Sequence, residues 1–167
     1  LMRIVLENSQ HTFVSIEDEI RALRLYLELE ALRFEDVFDY EIEIDEKINT
    51  FELKIPALLI QPYIENSIRH GLLHKKGKGY LLVSLKMMDQ HILCTIEDNG
   101  VGRKKAQEIN MKKGYLKTSL GSKITEERID ILNSLYSEEI DIHYVDLSDE
   151  MGNSKGTRVE MLLPFIF

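Results

Sequence analysis

Four residues able to do chemistry crowd one short stretch, "QPYIENSIRHGLLHKKGKG" at 61–79: Glu65, Asn66, Arg69 and His70. If the stretch is helical, Glu65 and Arg69 stand four apart, as do Asn66 and His70, so both pairs share one side of the helix. Pro62, Asn66, Arg69, His70 and Leu73 then make a polar stripe, while Ile60, Ile64, Ser67, Ile68 and Gly71 make an apolar one that suits a sheet. The polar stripe has two readings. It is a solvated face with one weak Glu–Arg ion pair, or one wall of a site supplying a carboxylate, an amide, a fixed cation and an imidazole. A second patch is "EDNGVG" at 97–102, where Asp98 ends an apolar strand and Gly100 and Gly102 follow. Glycines let backbone approach a ligand closely, and the carboxylate could accept a hydrogen bond from a ring amino group. An ordinary Asp-Gly turn is the alternative. Gly121 in "SLGSK" and Thr157 in "KGTRVEMLLP" mark two more patches at the ends of elements, and the four could converge on one site.

The elements that must position these groups are legible in outline. "SIEDEIRALRLYLELEALRF" predicts a helix with Ser15 as cap and Asp18 at the capping-box position. Its apolar line is Ile16, Ile20, Leu23, Leu27, Ala31 and Phe34. Leu25, Leu29 and Leu32 form a second line, which either contacts something beyond the domain or is buried between two elements of one core. "FDYEIEID" (38–45) alternates like a half-buried strand, and "FELKIP" (51–56) repeats this briefly. Pro56 and Pro62 bracket the start of the next helix, expected from about Ala57 to about Leu72 with Gly71 near its end. "YLLVSLKMM" (80–88) and "HILCTIED" (91–98) read as a hairpin. "RKKAQEINMKKG" gives a short helix and a loop, and "SLGSKITEERIDILNSLY" a further helix with Ile124, Ile131, Leu132 and Leu135 inward. "IDIHYVDL" and "GTRVEMLLPF" close the chain as two strands. The turns are too short for parallel crossovers throughout, so the expected fold is an α/β two-layer sandwich: a mixed, largely antiparallel sheet with helices on one face.

The 167 residues suit one compact domain with an extra arm, and 44% hydrophobic content is ordinary for a globular chain. Lys and Arg number 21 against 29 Asp and Glu, a net charge of −8 that disfavours nucleic acid or an anionic membrane as partner. No apolar run approaches the roughly 20 residues that span a bilayer. The single cysteine, Cys94, excludes an internal disulfide and reads as a small core residue. The chain opens at Leu1, mid-pattern in "LMRIVLENSQ", which suggests a piece of a longer protein.

Taken in order, "IENSIRHG", "EDNGVG", "SLGSKITEERI" and "GTRVEMLLP" resemble the GHKL, or Bergerat, ATP-binding domain, in particular the catalytic domain of sensor histidine kinases of the LytS/YehU type. "LMRIVL", "VSIEDEI", "YLELEALRF" and "IPALLIQPYIENSIRHG" extend the resemblance over essentially the whole chain. The resemblance implies ATP and Mg²⁺ as cofactors. Asn66 matches the asparagine that coordinates Mg²⁺ between the phosphates, and an amide oxygen is a reasonable hard-cation ligand. Glu65 matches the acid before it, a candidate general base for the attacking imidazole, with an ion pair to Arg69 as the plainer reading. Arg69 matches a basic residue facing the phosphates. His70 matches a position near the nucleotide, where it stacks, hydrogen-bonds or is inert. Asp98 matches the acid that reads the adenine amino group, Gly100 and Gly102 the glycines that let the chain pass the base, and Thr157 the threonine that supports the Asp–adenine contact. Gly121 matches the second glycine box, whose lid closes over the phosphates above a helix N-terminus near Leu120. "SLGSK" carries one glycine where many histidine kinases carry several. Lys112, Lys113, Lys117 and Lys123 supply positive charge there or form a solvated loop.

The same resemblance places a phosphoacceptor histidine upstream of this chain, since His11, His70, His74, His91 and His143 all lack its sequence context. Residues 1–34 are then the end of the dimerisation and phosphoacceptor helices, and 35–167 the ATP-binding catalytic domain. The expected function is transfer of the ATP γ-phosphate to that histidine, across a homodimer of the intact protein, for relay to a response regulator. The location implied is the cytoplasmic side of a membrane-anchored sensor, with no nucleic acid partner and no direct membrane contact by this part. The alternatives are a nucleotide-dependent interaction module and a GHKL ATPase of another branch.

Overall fold

The computed structural model describes residues 11–35, 37–112, 120–136 and 140–167; the side chains at 120–124, 126, 135 and 136 lie outside it. Ser15 begins the long helix α1 (Ile16–Arg33), its hydroxyl accepting the Asp18 amide at 3.1 Å. The capping box is not reciprocal. Asp18 instead accepts the Ser15 hydroxyl at 2.7 Å and pairs with Arg21 at 3.2 Å, because its side chain is one methylene shorter than the glutamate that usually reaches back. Ile16, Ile20, Leu23 and Leu27 are buried, whereas Leu29 and Leu32 on the second line are 50% and 75% exposed.

Five strands form the main sheet in the order β2 (Phe38–Ile44), β4 (Gly79–Met87), β5 (His91–Asp98), β7 (Ser154–Pro164) and β6 (Asp141–Ser148). The β2–β4 pair is parallel and the other three are antiparallel. Alternation decides the faces. Leu81, Val83 and Leu85, Ile92, Cys94 and Ile96, and Val159, Met161 and Leu163 are buried on one face. Glu41, Tyr80, Glu97 and Arg158 hold the other, with Tyr80 donating to Glu41 at 2.6 Å and Arg158 to Glu97 at 2.7 Å. The result is the expected two-layer sandwich with a largely antiparallel sheet.

A small second sheet pairs β1 (Phe13–Ser15) with β3 (Lys54–Pro56). Lys54 also exchanges backbone hydrogen bonds with Ile166, at 2.8 and 2.9 Å. This ties α1 into the domain, and the buried side of α1 shares one core with Ile60, Ile64 and Ile68. The strand expected from Phe51 is confined to Lys54–Pro56, since residues 49–53 turn, with the Leu53 amide bonded to the Asn49 carbonyl at 3.0 Å.

The polar helix α2 begins at Gln61, not near Ala57. Leu58 adopts a left-handed backbone, φ +58°, which no helix continues through, and its amide donates to Glu19 of α1 at 3.3 Å. After Gln61–Asn66 the helix widens into a π turn, Ser67–Gly71, and tightens into a 3-10 turn, Leu72–His74. Two helices follow, α3 (Arg103–Lys112) and α4 (Leu120–Tyr136). On α4 the inward residues are Ile129 and Leu132, and Ile131 is 57% exposed, contrary to its expected inward position. Ile124 and Leu135 lie outside the described side chains.

Candidate nucleotide site

Asp98 is the last residue of β5, and it is 3% exposed although it carries a carboxylate. Its Oδ1 accepts the Gly100 amide at 2.8 Å, the turn bond that an Asx geometry makes two residues on. Burial pushes the Asp98 pKa up from the ordinary carboxylate value. The Gly100 amide, the Ser67 hydroxyl and the Thr157 amide oppose burial without cancelling it, and Glu97 adds to the rise. A carboxyl in such surroundings keeps acceptor capacity for one further donor.

Three glycines make a collar around it. A side chain at Gly71 would place Cβ 2.9 Å from Asp98 Oδ1, and one at Gly100 would place it 2.5 Å from the Gly71 carbonyl carbon. Gly156, φ +130°, presses against the Asp98 main chain with no room for a Cβ. The Val101 amide donates to the Gly71 carbonyl at 3.3 Å, joining the end of the π turn to the "EDNGVG" loop. Thr157 faces Asp98 directly in the β5–β7 register. Gly102, φ +79°, sits farther out, beside Ser154 and Gly156, where it lets the loop turn into α3.

The two stripes of α2 fall as expected. Ile60, Ile64, Ser67, Ile68 and Gly71 are buried, and Asn66, Arg69 and His70 are on the more open side. Glu65 and Arg69 form an ion pair at 3.1 Å with side chains 37% and 51% exposed, so the pair holds geometry more than it stabilises the fold. His70 is half-buried, and burial, then His74 and Arg69, pull its pKa down while Glu65 opposes, which favours a neutral imidazole. Asn66 precedes the π turn without its side chain capping it. α3 packs on the π turn and α4 on α2. Gly121 is in the first turn of α4, which starts at Leu120. Lys112 is exposed at the end of α3, while Lys113, Lys117 and the Lys123 side chain lie outside the described residues.

The structure therefore gathers Asp98, Gly100 and Thr157 with the residues that follow Glu65 and Asn66 on α2. It adds three that the sequence reading left without a role: Ser67, Gly71 and Gly156. Ser67 carried a signal, being the polar member of an otherwise apolar stripe. Gly156 stood in the quoted "KGTRV" but only its strand context was read. A separate shallow groove of about 190 Å³, lined by Tyr63, Ile129, Asp130, Ile140, Ile142 and Tyr144, shares no residue with the Asp98 collar.

A family model described as histidine kinase matches residues 1–38. Sensor protein LytS of Oceanobacillus iheyensis is 29% identical over 98% of this chain and 27% of its own length. Sensor histidine kinase YpdA of Escherichia coli is 33% identical over 60% of this chain and 17% of its own. The chain thus spans about a quarter or less of these relatives. Among solved structures, the catalytic domain of histidine kinase ThkA superposes with a TM-score of 0.58 at 14% identity, covering 92% of this chain and 95% of that one. ThkA in complex with the response regulator protein TrrA gives 0.53 at 16% identity, over 98% of this chain and 46% of that one. The chain is thus similar to sensor protein LytS over nearly its whole length and has the fold of histidine kinase catalytic domains.

Proposed function

We propose that this chain is the ATP-binding catalytic domain of a sensor histidine kinase, which passes the ATP γ-phosphate to a histidine outside these 167 residues. The buried Asp98 carboxylate in its glycine collar carries the reading, because it offers an acceptor beside bare backbone, where a flat base with an exocyclic amino group fits. Thr157 supports that contact from β7, and Gly100 and Gly102 let the loop pass the base. The Asn66 amide, unused as a cap and partly exposed on α2, suits a hard cation that takes most of its ligands from phosphates and water. Mg²⁺ held there would neutralise phosphate charge. Arg69 adds a fixed cation once it turns from Glu65, and Gly121 with the first amides of α4 faces the phosphates.

In the transfer, the bond from the γ-phosphorus to the β-bridging oxygen breaks, a phosphorus–nitrogen bond to the histidine ring forms, and ADP leaves. Glu65 takes the ring proton, and His70, kept neutral, lines the nucleotide without adding charge. Positioning and charge neutralisation supply most of the rate, as in other phosphoryl transfers. The intact protein acts as a homodimer, hands the phosphoryl group to a response regulator and is anchored in a membrane with this domain on the cytoplasmic side. No helix among the described residues is long and apolar enough to cross a membrane. The likeness to sensor protein LytS supports the sensor role, and that to ThkA in complex with TrrA supports a response regulator as partner.

A calorimetric titration with Mg-ATP and with ADP tests the pocket. One saturable site is expected, lost in Asp98→Asn; a folded chain that binds neither nucleotide, or binds equally after the substitution, overturns the reading. The 167-residue chain should take up no acid-labile phosphate from ATP, and finding such phosphate would locate the acceptor within it. The exposed Leu29 and Leu32 of α1 favour a second reading, a nucleotide-dependent docking module without chemistry. Glu65→Gln in the full-length protein separates the two: a kinase loses activity with binding retained, and a docking module is little changed.

A further inference from the structure

At the groove outside the Asp98 collar, the helical layer fails to cover the sheet. Tyr144 of β6 lies on the helix side, the side on which its register partner Val159 is buried, yet it is 48% exposed. Its ring is met by that of Tyr63 on α2, with centroids 6.3 Å apart, and by the Arg103 guanidinium 4.7 Å away at the start of α3. β6 is an edge strand, with no strand beyond it among the described residues. The rim is acidic. Asp130 lines the groove, Glu127 stands exposed one turn before it on α4, and Asp146, two past Tyr144, is held by Arg103 only loosely at 3.8 Å. Helix α3 carries the opposite pattern. It sets four basic residues against one acid, in a chain whose net charge is −8. Met111 near its end is 67% exposed, and Lys104, two turns earlier, shares its face. Lys105 pairs with Glu108 at 3.3 Å, whereas Lys104 and Lys112 have no ion-pair partner among the described residues.

We propose that the groove receives α3 of a second copy of this chain, Met111 seated against Tyr144 with Lys112 beside Asp130. The contact is reciprocal. Groove and helix meet at Arg103, so one two-fold axis beside that residue seats each α3 on the other copy, the isologous arrangement of most dimers. Two copies of charge −8 repel at long range, but salt screens that repulsion beyond about 10 Å at 0.1 M, and the facing patches are opposite in sign. One apolar side chain and its flanking lysines make a small interface, so the contact is weak by itself. It is separate from any homodimer formed elsewhere in the intact protein and does not depend on which reaction the domain performs. Since α3 begins directly after Gly102, docking pins the exit of the nucleotide loop in both copies.

Sedimentation equilibrium of the 167-residue chain tests this at concentrations rising to about 1 mM, the local level that a short tether supplies inside an intact assembly. A monomer–dimer equilibrium is expected, weakening as salt is raised. Met111→Glu and Asp130→Lys should each raise the dimer Kd about tenfold or more, and adding Lys112→Asp to Asp130→Lys should return it towards the wild-type value. All three side chains are exposed in the single chain, so the urea midpoints should stay where they were. A chain that remains monomeric throughout overturns the proposal and leaves the groove to a basic segment of another protein. A dimer that neither Met111→Glu nor the charge reversal loosens overturns it as well, and points to the exposed Leu29 and Leu32 of α1.

Discussion

Replacing Glu19 by Gln should make the protein more stable, and increasingly so as pH rises. Glu19 is 1% exposed on α1; one oxygen accepts the Leu58 amide at 3.3 Å and the other has no partner among the described residues. Burial pushes its pKa from 4.5 to about 7, against the pull of the Leu58 amide and the more distant Arg128. The folded state therefore holds a proton that the unfolded chain has released between those two values. Linkage makes stability fall with rising pH across that window, at about 1.4 kcal/mol per unit, or about 3 kcal/mol in all. The stabilising share is whole below pH 4.5 and gone above about 7. Gln keeps the shape and the acceptor for Leu58 but cannot ionise. Urea denaturation of both proteins, followed by circular dichroism from pH 5 to pH 8.5, measures the gap between them. The gap should widen by about 2–3 kcal/mol towards alkaline pH, the part of the linkage that falls inside that range. A gap that stays flat, or narrows, would refute the argument, since it would mean that Glu19 ionises as freely in the fold as outside it.

Three more expectations follow from the site and the core. Gly100→Ala should cost about 1–3 kcal/mol of stability through overpacking, because its Cβ would lie 2.5 Å from the Gly71 carbonyl carbon; nucleotide binding should go with it, and normal calorimetric binding would show that the collar yields. ADP affinity should be full well above the raised pKa of Asp98 and fall as pH drops through it, since only the ionised carboxylate accepts from both Gly100 and the base; affinity constant down to the acid limit of folding would remove Asp98 from base recognition. On α4, Leu132→Ala should cost about 2–5 kcal/mol and Ile131→Ala within about half a kcal/mol of nothing, because one is 5% and the other 57% exposed; equal costs in urea melts would place the helix in a different rotation.

The sequence made the sheet readable because β4, β5 and β7 alternate with a buried face, and period 2 survives any tertiary context. It also made the polar stripe of α2 readable, since Glu65 and Arg69 do pair at four-residue spacing. The start of that helix was hidden. Ala57, Leu59 and Ile60 are all buried and look like a first helical turn, but a contact from 39 residues away, Glu19 to the Leu58 amide, holds the chain in another conformation. The apolar lines of the long helix gave no sign that Glu19 and Glu30 are buried. Nothing in composition separates a buried glutamate from its exposed neighbours when both occupy a good helix. The rotation of α4 was misread at Ile131 because four apolar residues on a helix fit more than one inward face. The collar was half legible: Gly100 and Thr157 stood in recognisable company, whereas Gly71 looked like a helix end and Gly156 like the first residue of a strand.

The π turn bears on how chains of this kind can be compared and altered. In an unbroken α-helix the Gly71 carbonyl would be claimed by the amide of residue 75. Here Lys75 bonds to Leu72 at 3.1 Å instead, and Gly71 is left to receive Val101. The wide turn acts as a phase shift: five residues occupy a rotation that would otherwise take fewer, and everything after Asn66 is indexed to it. Deleting one residue between Ser67 and Gly71 would close the wide turn into a regular one and keep Leu72 facing inward, at the loss of the slack that frees the Gly71 carbonyl for Val101. That five-residue stretch is therefore a place where one residue can be lost without rotating the rest of the helix, whereas a side chain at Gly71 cannot be gained.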